Sequence, residues 1–136
     1  FPILFLSEYI NKNKAKYYKL LNNTSKTWNY TDFISYLLEG IIEQSKNTSV
    51  KILKIKKLID KKELDIEKVN QHYHKITSLF FSHPFMTISE FTNKLWFSRQ
   101  AVTKYVNILE ENNIISSVKI WRNKLIFIPE FVELLS

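Results

Sequence analysis

Residues Met86 to Ile128 read MTISEFTNKLWFSRQAVTKYVNILEENNIISSVKIWRNKLIFI, and this stretch decides the fold. Thr87-Ile88-Ser89-Glu90 is a capping box, in which the threonine hydroxyl accepts the Glu90 amide and the Glu90 carboxylate reaches back to the Thr87 amide. Met86 and Phe91 stand at the two ends of a hydrophobic staple around that cap. Ile88, Phe91 and Leu95 then line one face of a helix. Ser98 is a good N-cap for a second helix, with Phe97 and Val102 at staple spacing. Val102, Tyr105, Val106 and Leu109 follow the i, i+3, i+4, i+7 spacing of a buried stripe. Asn112-Asn113 ends that helix, because Asn tolerates the left-handed backbone of a helix stop. Val118–Ile120 and Leu125–Ile128 are strand-forming runs joined by Trp121-Arg122-Asn123-Lys124, a hairpin with a small basic tip. The stretch is therefore expected to be a helix-turn-helix followed by a β-hairpin wing.

The outer face of the second helix carries the candidate chemistry. Gln100, Thr103, Lys104 and Asn107 share it, with Arg99 beside them. The expected face has neither an acid nor a large apolar side chain. Arg, Lys, Asn and Gln can all read base edges from a helix lying in a major groove. Arg122 and Lys124 on the hairpin would reach phosphates. DNA is thus a candidate partner, through Arg99, Gln100, Thr103, Lys104, Asn107, Arg122 and Lys124. The alternative is a solvated helix face on a protein-docking or dimerisation module of the same shape.

Charge tempers the DNA reading. The chain has 136 residues and a net charge of +7. Residues 46–62 carry seven Lys against one Asp, whereas residues 87–136 carry six Lys or Arg against five acids. The basic excess therefore precedes the winged stretch. Lys51, Lys54, Lys56 and Lys57 alternate with apolar residues and read as the solvated side of an amphipathic helix, with phosphate tracking as the alternative.

The composition excludes several classes. There is no cysteine, so disulfides, thiolate nucleophiles and Cys-based zinc sites are absent, which fits a reducing, cytoplasmic compartment. The single glycine, Gly40, rules out glycine-rich phosphate loops and dinucleotide fingerprints. No apolar run is long enough to span a membrane. His72 and His74, two residues apart, diverge on a helix and do not make a shared metal site.

Upstream of the winged stretch the pattern is helical. Pro2 suits a first helical turn, with Ile3, Leu6 and Ile10 on one face. Asn11–Asn13 is a break, Ala15–Leu21 a second helix, and Asn22–Thr27 a loop. Thr31 or Asp32 caps a long third helix with Phe33, Tyr36, Leu37, Ile41 and Ile42 on its apolar side. Gly40 inside it implies close approach of another backbone. The charged segment Asp60–Asp65 is expected to interrupt this helix. Ile66, Val69, Tyr73, Ile76 and Phe80 then suggest one amphipathic helix, which Pro84 stops near Ser82. Pro129–Leu135 reads as a short closing helix. The expected organisation is mainly α: a helical segment over residues 1–64, then a winged helix-turn-helix over residues 65–136.

These pieces resemble a known family. Phe1-Pro-Ile-Leu-Phe-Leu-Ser7, then Tyr17-Tyr18, then Tyr30-x-x-Phe33-x-x-Tyr36-Leu-Leu-Glu-Gly40 is similar to the C-terminal part of Fic proteins. There the segments run P-I-L-Y-L-S and W-x-x-W-x-x-F-F-L-E-G. In one bacterial subgroup a long helix and a winged helix with S-R-Q-T follow, and Ser98-Arg99-Gln100-Ala101 matches that spot. The resemblance implies a parent enzyme that transfers AMP from ATP to a protein hydroxyl. Its signature, H-P-F-x-x-G-N-G-R-x-x-R, would lie upstream of Phe1. His83-Pro84-Phe85 copies three letters of it, but Met86-Thr87-Ile88-Ser89 follows, without glycine or arginine. No catalytic residue and no cofactor is therefore assigned to this chain. The implied partner is an upstream Fic catalytic domain. Cut away from it, Phe1, Phe5 and Tyr9 would be left as an exposed apolar patch, so a homo-oligomer is expected. Two departures stand out: Tyr30 and Phe33 replace the family's Trp pair, and Trp96 fills a helix-turn-helix position that is usually Gly. A bulky residue is costly in the positive-φ conformation of that position, so the turn is expected to differ from the family's, with Trp96 exposed as a contact surface.

Overall fold

The computed structural model describes residues 5–135. Pro2 and Ile3, expected in the first helical turn, lie outside that range. The chain is mainly α, with a small three-stranded antiparallel sheet, and packs as two compact units, Phe1–Leu53 and Lys54–Ser136.

The first unit holds α1 (Leu6–Lys12), α2 (Lys14–Thr27) and the N-terminal part of α3 (Thr31–Glu67). The break at Asn13 is as expected. Its side-chain amide donates to the Tyr9 carbonyl at 3.0 Å, which closes α1. The polar stretch Asn22–Thr27 is helical, not a loop. Its Ser25 and Thr27 hydroxyls donate back to the carbonyls of Asn22 and Asn23 along the helix. Asn29, not Thr31 or Asp32, supplies the side chain that accepts the Thr31 amide at the start of α3. Tyr9, Tyr17 and Tyr36 form the aromatic centre of this unit, with ring centroids 5.2 and 6.3 Å from Tyr36, so Tyr9 is buried and does not belong to the exposed patch expected of it. Gly40 faces a side chain and not a backbone: a Cβ there would lie 2.5 Å from the Tyr9 ring and 3.0 Å from Leu6.

In the second unit α3 runs uninterrupted through Asp60–Asp65 to Glu67. Lys, Glu and Leu are good helix formers, so a charged segment does not by itself break a helix. Ile66 belongs to the last turn of α3, and α4 (Tyr73–Ser82) is a separate helix. Asn70 divides them. Its side-chain oxygen accepts the His72 amide at 2.8 Å, an Asx-type turn that competes with helix continuation. The expected continuous helix from Ile66 to Phe80 is thus two helices, whose Ile66, Ile76 and Phe80 meet in one core. Ile55 and Leu58 of α3 pack on that core as well, so residues 54–64 belong with the winged part.

The winged helix-turn-helix follows the expected order. After β1 (Met86–Thr87) come α5 (Ile88–Leu95), α6 (Arg99–Glu111), β2 (Ser116–Ile120), β3 (Asn123–Phe127) and α7 (Pro129–Leu135). The Thr87–Glu90 capping box is complete, and the Ser98 hydroxyl accepts the Ala101 amide at 3.2 Å. Asn113, at φ 54°, ends α6 in a Schellman turn: Ile114 donates to the Leu109 carbonyl and Asn113 to that of Glu110, both at 2.9 Å. The hairpin loop is only Trp121-Arg122, because Asn123 already pairs with Ile120. β1 adds a strand to the hairpin, with Met86 opposite Ile126 and Thr87 opposite Leu125. Phe80, Phe91, Leu95, Val102, Val106, Ile126 and Ile128 are fully buried at the centre.

Candidate nucleic-acid interface

The core fixes which side of α6 faces out. Val102, Val106 and Leu109 are buried, and Tyr105 packs edge-on against Phe97 with centroids 5.7 Å apart. The opposite side is left to solvent. Arg99, Gln100, Thr103, Lys104 and Asn107 are all exposed and line one open groove, so the structure brings these five together as the spacing required. Ile108 and Glu111 complete the lining. The expectation of a face without acidic or large apolar groups is therefore corrected. Glu111 stands one helical turn beyond Asn107, a spacing visible in the sequence, and Ile108 forms part of the floor.

The five side chains are not equivalent. The Thr103 hydroxyl donates to the Arg99 carbonyl at 2.9 Å, so its oxygen remains an acceptor more than a donor. Among the described residues Arg99 and Lys104 make no ion pair, and their charges stand in water.

Arg122 and Lys124 line a second groove, on the hairpin, with Ser117 and Lys119. Lys119 was not singled out from the sequence, although it lies directly opposite Lys124 in the β2–β3 register. Like charges facing one another across strands repel. Glu110 offsets that repulsion: its carboxylate holds the Lys124 ammonium at 2.7 Å. Burial pushes the Glu110 carboxyl up, but hydrogen bonds from Lys124 and Ser117 outweigh it and hold the group below the usual carboxylate range. Lys124 is thus a strut between the hairpin and the end of α6. Arg122 at the turn is exposed, as is Lys119.

Two tryptophans frame this unit. Trp96, in the turn between α5 and α6, has φ 62° and is 88% exposed; Trp121, at the hairpin tip, has φ 56° and is 92% exposed. The left-handed conformation costs an ordinary side chain roughly 1–2 kcal/mol. The turn was expected to depart from this conformation because of the indole's bulk; Trp96 adopts it all the same and, as expected, holds its indole in water.

The histidines have ordinary neighbours. His72 stacks near Phe97 with centroids 4.8 Å apart, and His74 hydrogen-bonds Glu63. Among the described residues no three His, Cys, Asp or Glu gather closely enough to hold a metal ion, and no helix is long and apolar enough to cross a membrane. Compared against models of known protein families, the chain matches none.

Proposed function

We propose that the winged helix is a DNA-reading module. The observation that carries this is the outward face of α6, where Arg99, Gln100, Thr103, Lys104 and Asn107 project together while the opposite face is locked into the core. In a major groove, Arg99 would take guanine through paired donors, and Gln100 and Asn107 would take adenine. Lys104 and the hairpin's Arg122 would hold phosphates and set register. Lys124 would have to surrender Glu110 to join them, so Arg122 is the stronger phosphate candidate. Glu110 and Glu111 offset part of the positive charge, so single-copy affinity should be modest and its salt dependence shallow.

We further propose, from the resemblance of residues 1–40 and 98–101, that this module regulates a Fic-like AMP transferase of which the present chain is the non-catalytic C-terminal part. Labelled ATP and magnesium with candidate substrates should give no labelled protein from this chain alone.

The test of DNA reading is fluorescence anisotropy on duplexes from the protein's own promoter at two salt concentrations. Arg99→Ala should lower affinity for the preferred duplex by about ten-fold or more and relax the preference, given that a bidentate base contact is worth about 1–3 kcal/mol. Arg122→Ala should weaken all duplexes alike and reduce the salt slope by about one. Absence of binding, or binding indifferent to both substitutions, would reject the proposal. A second reading, protein docking, is supported by the exposed indoles of Trp96 and Trp121. It would take over if both indoles proved necessary for capture of a partner protein while DNA did not bind.

A further inference from the structure

α3 carries an apolar stripe that its own fold leaves in water. Ile34, Leu38, Ile41, Ile42, Ile52 and Leu53 are each 39–59% exposed. They recur at steps that return to one side of a helix, and Ser45 and Ser49 fall between them on that side. Over the same stretch the core side is a different face, with Tyr36, Gly40 and Gln44 buried on it. Exposed large aliphatics gathered on one side of a helix mark a contact surface.

The charges beside the stripe indicate what covers it. Asp32, Glu39, Glu43, Lys46, Lys54 and Lys57 follow one another at steps of seven, four, three, eight and three, and so share one flank of α3. All the acids on that flank come first and all the lysines follow, with the change of sign between Glu43 and Lys46. A flank of this kind complements its own reverse. When two such helices run antiparallel, each acidic half lies against the other's basic half. A parallel two-fold pair would instead set this flank against the partner's other flank, and the match of acids to lysines would be lost.

We propose that a second copy of this chain packs antiparallel along α3, about a two-fold axis near Ser45. The interface is isologous, so each copy offers the same stripe and the same flank. The small side chains of Ser45 and Ser49 let the helices approach near the axis, and the aliphatic groups on either side exclude water. Glu39 bonds Lys16 of its own chain at 3.0 Å. Both groups of that pair are exposed, and such pairs are worth little, so a partner's lysine can displace Lys16. Twelve half-exposed aliphatic side chains and their flanking stems amount to on the order of 1,000 Å² of surface, near the lower bound for a specific interface. A dimer dissociating at about 10 µM is the corresponding expectation.

The absence of native cysteine makes introduced thiols clean reporters. Under mild oxidation Ser45→Cys should cross-link to itself, since a residue beside a two-fold axis meets its own copy within disulfide range. Ile34→Cys should not link to itself but should link to a Leu53→Cys partner in a mixed sample. In sedimentation velocity the unmodified chain should be dimeric at about 100 µM. Leu38→Glu with Ile41→Glu should be monomeric with an unchanged helical circular dichroism signal, because both side chains are already in water. Glu39→Lys should weaken the dimer, and Glu39→Lys with Lys54→Glu should restore it. A monomer at the highest concentration overturns the proposal and assigns the stripe to a different partner. Self-linking of Ile34→Cys as efficient as that of Ser45→Cys overturns the antiparallel arrangement.

Discussion

Replacing Glu130 with Ala should damage the winged unit far more than replacing its partner, Lys62, with Met. The Lys62 side chain is 3% exposed, and its ammonium meets the Glu130 carboxylate at 2.8 Å and the Ile114 carbonyl at 3.1 Å. Glu130, by contrast, keeps 44% of its side chain in water. The two halves of the pair therefore fail differently. Without Glu130, a buried ammonium is left with one neutral acceptor, and breaking a buried pair in this way costs about 3–5 kcal/mol. Because the vacated side opens toward solvent, the low end applies, about 3 kcal/mol. Without the Lys62 charge, Glu130 rehydrates where it stands and Met fills the channel left by the lysine stem. What remains is an unpaired Ile114 carbonyl, at about 1 kcal/mol. The difference, about 2 kcal/mol, is roughly a thirty-fold change in the opening equilibrium. Native-state hydrogen exchange at the Val102, Val106 and Ile126 amides reads that equilibrium within the second unit alone. The double substitution should behave like Lys62→Met, since it leaves no stranded charge. If Lys62→Met proves as costly as Glu130→Ala, burial asymmetry is not what governs this pair, and the reasoning fails.

Three further outcomes follow from particular residues. Trp96→Gly should stabilise the second unit by about 1 kcal/mol, since it removes a left-handed φ from a bulky residue, and urea denaturation would show it; a loss of stability would mean that the exposed indole packs more than its 88% exposure implies. Gly40→Ala should destabilise the first unit by about 1 kcal/mol despite the helix-propensity gain, because the new Cβ meets the buried Tyr9 ring and overpacking costs about 1–3 kcal/mol; a thermal midpoint at or above that of the parent would contradict the close contact. The Glu110 and Glu130 carboxyls are both held below the usual range. Burial opposes this, and the Lys124 and Lys62 hydrogen bonds overcome it. Depressed carboxyls contribute stability that is complete above their unfolded value, about 4.3–4.5, and is lost as pH falls through the folded value. Acidification below about pH 4.5 should thus loosen the hairpin and α7 before the α5–α6 core, as amide signals at Ser117 and Phe131 would report, and Lys124→Met should remove the hairpin's share of that response.

Much of the winged unit was legible locally. The capping box at Thr87, the Ser98 cap, the Asn113 stop and the two strand-forming runs of the hairpin each depend on residues within a few positions of one another, and each is found in the structure. The candidate reading face was legible for the same reason: helical spacing alone puts Arg99, Gln100, Thr103, Lys104 and Asn107 together once the opposite stripe is known to be buried. Glu111 was within reach of that arithmetic as well. The exposure of Trp96 was legible, but its left-handed backbone was not, because the bulk of the indole argued for a different turn.

Tertiary contacts decided the rest, because they join residues that share no local pattern. Two residues are too short a run to announce a strand; Met86 and Thr87 become β1 only because β3, some forty positions later, offers its free edge. The charged segment Asp60–Asp65 looks like a break, yet it stays helical around Lys62, whose ammonium finds partners in α7 and at the Ile114 carbonyl. Ile66 and Ile76 share a period without sharing a helix, since the Asn70 side chain turns the backbone between them. Lys124 reads as a free basic tip until the end of α6 places Glu110 beside it, and Gly40 reads as a backbone contact until α1 lays Tyr9 across it. Caps and stripes are encoded within one or two turns of chain, and the sequence alone determines them. Whether a lysine is solvated, buried or paired depends on which distant element the fold brings to it, and only the packed chain determines that.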